Sequence, residues 1–189
     1  MLGHRPRLAI AALVAVFALV PTACGGEGNE DVDRDDPTTT PPAEGSSTTT
    51  TAPSVEAEVE AAYLAYWEMA ERLTNSPDPD DPEISQRAIG TALTTFVDSV
   101  TTLKAQGQAV VTGQQTSHDI TSIELSADVA RLRDCNVDDA KRVETSTGNE
   151  IVEAVATNLL AVELLRSDGS WLVSSIKRIS AWEGATQCD

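Results

Sequence analysis

Asp134, His118, Tyr63 and Tyr66 are the side chains of this sequence whose types suit acid–base chemistry. Asp134 shares strand parity with Ala130 and Leu132, which would turn it inward. Burial raises the pKa of a carboxyl group, and a base that takes a proton from carbon needs that shift. The other reading turns Asp134 to water or to a basic neighbour such as Arg131 or Arg133. His118 stands beside Asp119 at the start of a strand and reads as an exposed loop histidine. The sequence contains no Gly-x-Ser-x-Gly, no phosphate loop, no His-Glu-x-x-His and no dinucleotide fingerprint. We therefore assign no catalytic residue and keep Asp134 and His118 as the alternative pair. The protein is expected to be non-enzymatic and to need no cofactor.

Tyr63, Tyr66 and Trp67 place three of the chain's seven aromatic residues within five positions. They read either as core packing or as the wall of a pocket. Metal chemistry has little to work with. His118 is the single histidine after the leader, and there is no Cys-x-x-Cys. The Asp78, Asp80 and Asp81 loop has oxygen ligands for calcium, but a solvated acidic turn accounts for it more simply. No metal site is expected.

The leader decides where such chemistry would take place. Arg5 and Arg7 precede thirteen apolar residues, Leu8 to Val20, followed by small residues and Cys24. Thirteen helical residues reach about 20 Å, short of a bilayer core of roughly 30 Å, so the stretch reads as an export signal rather than a span. Leu19 to Cys24 resembles the lipobox of bacterial lipoproteins, which implies lipid on Cys24 and anchorage to the outer face of the cell membrane. Ordinary signal-peptidase cleavage and release is the alternative.

Three cysteines are present, an odd number for an exported chain. With Cys24 consumed by lipid, Cys135 and Cys188 form an even pair in an oxidising compartment, and we expect them to be bridged.

Signal 1–23, tether 24–53 and domain 54–189 follow from composition. The tether is rich in Thr, Pro and acids, lacks aromatics, and cannot offset the entropy of ordering. The domain holds ten basic and 23 acidic residues, a net charge of −13. Such a surface repels phosphate backbones, so nucleic acid is excluded as a partner.

The elements that must position the candidates are helices first and strands afterwards. Ser54 caps a helix whose apolar stripe is Val55, Val59, Ala62, Tyr63, Tyr66, Ala70 and Leu73. A proline-rich loop ends at Pro82, which starts a short helix to Ile89. Gly90 separates it from a third helix carrying Leu93, Phe96, Val97, Val100 and Leu103, closed by Gly107. The period then switches to two. Strands are predicted at 109–112, 120–125, 129–135, 154–166 and 171–182, with a polar interval at 136–149. Ser167-Asp168-Gly169-Ser170 predicts the hairpin turn. Trp171, Val173 and Ile179 are expected on one face of the last strand, with Leu172, Ile176 and Trp182 on the other. The result is α+β: three N-terminal helices packed on a strongly bent antiparallel sheet. Apolar residues on both faces of the final hairpin suggest a homodimer through the sheet face.

Tyr63-Leu64-Ala65-Tyr66-Trp67, Pro77 to Pro82, Asp134-Cys135 and terminal Cys188, in that order, resemble the nuclear transport factor 2-like (SnoaL-like) cone, nearest to its lipid-anchored actinobacterial members. The likeness covers about 55–189. It implies a pocket in the cone but no single activity, since the fold serves enzymes, binders and adaptors. Isomerases and cyclases of the fold use a pocket carboxylate as base, which here implies Asp134. The reading we prefer is a lipid-anchored module that meets a small apolar ligand or an envelope protein.

Overall fold

A computed structural model describes residues 52–151 and 155–188. The leader, Cys24 and the tether as far as Thr51 lie outside the described residues.

Helix α1 (Val55–Asn75) starts where Ser54 predicts, the Ser54 hydroxyl accepting a 3.2 Å bond from the Ala57 N–H. A cap of this kind is worth about 1 kcal/mol. Val59, Tyr63, Tyr66, Ala70 and Leu73 of the predicted stripe are buried. Val55 is not: it is the first helical residue and is 39% exposed, while Met69 takes a core position that the stripe omitted. Helix α2 (Glu83–Arg87) ends two residues earlier than predicted. Ala88 becomes extended because it bridges Val173, and the Ile89 N–H donates to the Val173 carbonyl at 2.9 Å. Helix α3 (Gly90–Gln106) buries Ala92, Phe96, Val100 and Leu103 and closes on Gly107, whose φ of 61° is the left-handed cap that glycine adopts readily.

Among the described residues seven antiparallel strands follow: β1 (Gln108–Val111), β2 (Ser117–Ser126), β3 (Val129–Asp138), β4 (Lys141–Glu144), β5 (Glu150–Ile151), β6 (Ala156–Ser167) and β7 (Ser170–Glu183). They form a four-stranded ladder, β2-β3-β6-β7, and a three-stranded one, β1-β4-β5. Asp139 and Ala140 carry the chain from one to the other, so the bend is where hydrogen bonding breaks. The interval at 136–149 is thus not a plain loop; it holds the end of β3 and all of β4. At the β6–β7 turn Asp168 and Gly169 have φ of 50° and 83°, as a two-residue hairpin turn matching strand twist requires.

On the inner face of the large sheet Ala130, Leu132, Leu160, Val162, Leu164, Trp171 and Val173 meet the helices in one core. Two bulges keep apolar residues there. The register slips between Ile120 and Ser122 of β2, so Ile120 and Ile123, three apart, both pack on the core. It slips again between Glu163 and Leu164, where β7 passes over Ser174, so Val173 and Ile176 share a face. This corrects the parity that set Ile176 opposite Trp171. Ile179 does not join the core either; it is 44% exposed. The outer face is mixed, with half-buried Leu159, Ala161 and Leu165 beside Arg131, Arg133, Glu163 and Lys177.

Cys135 and Cys188 are joined in a disulfide, as the cysteine count predicts. The buried Thr157 hydroxyl helps hold the same tail, donating to the Gly184 carbonyl at 2.7 Å and accepting from the Thr186 N–H at 2.9 Å.

Candidate functional site

The inner face of β3 delivers Asp134 to the core, where it is fully buried. Two donors meet one of its oxygens. The Tyr63 hydroxyl of α1 donates to Oδ2 at 2.6 Å, and His118 Nδ1 of β2 lies 2.6 Å from the same atom. A carboxylate can only accept, so the hydrogen of that second contact belongs to Nδ1, and in the neutral ring Nε2 keeps its lone pair. Among the described residues neither Nε2 of His118 nor Oδ1 of Asp134 has a hydrogen-bond partner, and both atoms are buried.

His118 is therefore not the exposed loop histidine that its neighbours suggested. It lies within β2, its side chain only 10% exposed, because the strand begins at Ser117 rather than Ile120. His118 shares parity with Ile120, and extending the strand three residues backwards would have turned it inward. Trp67 tilts over its ring at 30° with centroids 4.7 Å apart, and Tyr63 meets it edge-on at 5.8 Å. Tyr63, Asp134, His118 and Trp67 form one aromatic and polar cluster between α1 and the sheet.

The cluster governs the ionisation of the tyrosines. Burial is the main reason that the Tyr63 phenol is held far above its ordinary range, and the adjacent Asp134 charge adds to it. The Trp67 indole N–H acts weakly in the opposite direction. Burial alone pushes Tyr66 up to about 12.

Beside the cluster is a cavity of about 460 Å³, opening between α1, α3 and the bend of the sheet. Tyr66, Trp67, Phe96 and Ile176 make its apolar wall, and His118 and Asn136 bring polar atoms to it. Of the sequence candidates, then, Tyr66, Trp67 and His118 line the cavity. Asp134 and Tyr63 do not; they stand behind His118. Sequence analysis missed Phe96, which it gave only a core role, and Asn136, which it left in a polar interval. Asn136 Nδ2 donates to the Ser117 carbonyl at 3.1 Å, holding the strand end that carries His118.

The rim beside β3 is built by Asp139. Its carboxylate accepts from the Gln115 N–H at 2.8 Å and the Thr116 hydroxyl at 2.6 Å, and both bonds hold it below the usual carboxylate range. A Cβ at Gly113 would collide with that carboxylate, so glycine is what lets the 112–116 loop close on it. Among the described residues no cluster of three or more His, Cys, Asp or Glu is placed to hold a metal ion. Two of the three aspartates of the proline-rich loop form ion pairs: Asp81 with Arg72 at 3.1 Å and Asp78 with Lys104 at 3.5 Å.

No protein-family model matches the chain, and no curated protein matches it in sequence. Solved structures do. The intermembrane space region of chloroplast protein ARC6 aligns over 63% of this chain and 92% of its own, with a TM-score of 0.55 and 15% identity. The Kfla4162 protein from Kribbella flavida covers 68% and 95%, with a TM-score of 0.47 and 12% identity. An NTF2-like protein with a cystatin-like fold, from Novosphingobium aromaticivorans, covers 65% and 82%, with a TM-score of 0.41 and 15% identity. At 15% identity and a TM-score of 0.55, what the chain has in common with the ARC6 region is a fold.

Proposed function

We propose that residues 54–189 are a small-molecule binding module, held at the outer face of the cell membrane by lipid on Cys24. The observation that carries the reading is the cavity of about 460 Å³, with aromatic walls on one side and the buried His118–Asp134 pair behind the other. Ligand sites are typically apolar clefts of this size with a few fixed polar groups. The unpartnered His118 Nε2 supports it, because a buried polar atom left without a partner costs about 1–3 kcal/mol, which a ligand hydrogen bond would recover. The leader and tether support the location.

Native mass spectrometry of the full-length protein, extracted from its own membrane in mild detergent, tests this. A retained small molecule is expected on the wild type. Thr95→Trp, which places a large side chain at an exposed lining position, should lose it. A wild type that carries no adduct and takes up none from an extract of its own cells would end the reading. For the anchor, Cys24→Ser should move the protein from the membrane to the soluble fraction.

The His118–Asp134 contact favours one second reading, proton-transfer catalysis on a small molecule. His118 would then touch the substrate as base, with Asp134 fixing its tautomer and orientation, since only His118 reaches the cavity. Turnover of the retained compound, lost in His118→Gln with the adduct still bound, would distinguish enzyme from binder.

A further inference from the structure

The charge pattern of the cavity narrows the class of ligand, given the binding function proposed above. Glu71 and Asp138 belong to its lining, and among the described residues no lysine or arginine does. Among the described residues neither acid forms an ion pair with a basic side chain; Asp138 Oδ1 accepts only the Ala140 N–H, at 3.0 Å. The wider domain is negative as well, at −13 over residues 54–189. A cavity bounded by one sign of charge concentrates ligands of the other sign.

One feature acts in the opposite sense. Thr91 and Ala92, in the first turn of α3, also line the cavity, and that helix has no side-chain cap at Ile89. A helix N-terminus is equivalent to about half a positive charge, and its effect fades within a turn. Two full carboxylate charges outweigh it. The helix end can accept a dipole, such as a carbonyl, but does not reverse the sign of the site.

His118 supplies the second requirement. With Nδ1–H committed to Asp134, the neutral form of the ring has Nε2 as an unpartnered acceptor that a ligand donor would satisfy. Trp67 and Tyr66 add aromatic surface to the wall, which suits the apolar body of a ligand.

We propose that the cavity selects neutral or cationic apolar ligands that carry an N–H or O–H donor, and rejects carboxylates and phosphates. A matched set of probes separates this from binding as such: 2-naphthylmethylamine, 2-naphthylmethanol and 2-naphthoate, titrated into the full-length protein at pH 7 by calorimetry. The amine and the alcohol should bind, and the carboxylate should bind on the order of tenfold more weakly than the amine or not at all. Glu71→Gln with Asp138→Asn should shrink that ratio toward one while leaving the alcohol unchanged, and 0.5 M NaCl should shrink it in the wild type. Equal binding of all three, or preference for the carboxylate, overturns the selectivity while leaving a binding cavity. Binding of none overturns the selectivity and the binding function together.

Discussion

The Tyr63 hydroxyl donates a 2.6 Å hydrogen bond to Oδ2 of Asp134 across 71 positions of sequence, at a point where neither residue reaches solvent. A carboxyl group in such a place is tolerated only because polar partners meet it, here Tyr63 and His118. The bond also ties α1 to β3, so one polar contact locates the long helix against the sheet.

Breaking it should be costly in proportion to what is stranded. Tyr63→Phe removes one donor and should lower stability by about 1.5–3 kcal/mol, the range for hydrogen bonds to charged groups. Asp134→Ala strands both donors and opens a cavity, and should cost more. Urea denaturation of both variants and of the double variant measures this. Because the residues share one network, the double should cost less than the two singles together; strict additivity would show that the contact contributes nothing.

Alkaline behaviour follows from the tyrosines. The chain has only two, Tyr63 and Tyr66, and burial raises both. Each folded phenol stays protonated at a pH where the unfolded one ionises, near 10. Their contribution is complete below that pH and is lost as pH rises through the folded values, about 12 for Tyr66 and higher for Tyr63. Absorbance at 295 nm should show almost no tyrosinate in native protein at pH 10.5, then a rise coincident with loss of far-ultraviolet circular dichroism. A smooth titration centred at 10 in folded protein would contradict the buried cluster.

Reducing the disulfide should destabilise the domain without dismantling the cavity wall. Cys135 and Cys188 are 53 positions apart, and releasing a closed loop of that size costs about 4 kcal/mol by loop-closure entropy. Cys135→Ser should therefore lower the midpoint of denaturation substantially. Thr157 still holds the tail, so Gly184 to Thr186 should keep part of its protection against hydrogen exchange. An unchanged midpoint under oxidising conditions would mean that the bridge does not form in solution.

The rim should loosen in acid. Asp139 is held low by its bonds to Thr116 and Gln115, so its support is present above the ordinary aspartate range and disappears as pH falls below about 4 through the folded value. Gln115 amide exchange should quicken in Asp139→Ala at neutral pH, as it does in the wild type in acid relative to its intrinsic rate. Gly113→Ala should give the same result by displacing the carboxylate. Protection of Gln115 that ignores both substitutions would sink the clamp.

Much of this was legible from local pattern. Ser54, Gly107 and Asp168-Gly169 mark element ends because capping and positive φ are decided by a few neighbouring atoms. Alternation with Ala130 and Leu132 offers the inward turn of Asp134 as one of two readings, and burial of the residue selects it. The odd cysteine count predicts which two are bridged.

What local pattern does not carry is where alternation breaks. The bulges near Thr121 and at Ser174 arise because Ile120 with Ile123, and Val173 with Ile176, must all reach a core whose position depends on the helices above it. Read without those bulges, Ile176 falls on the wrong face, and a strand begun at Ile120 leaves His118 outside. Sequence by itself determined helices before strands, the Ser54 and Gly107 caps, the Asp168-Gly169 turn and the parity that allows Asp134 to face inward, since each rests on contacts within a few residues. Only the tertiary structure decided that Tyr63, His118 and Asp134 meet and that His118 stands between Asp134 and the cavity. Those contacts join α1, β2 and β3, and which partners a buried polar group finds is settled by the packing of distant elements rather than by its neighbours in the chain.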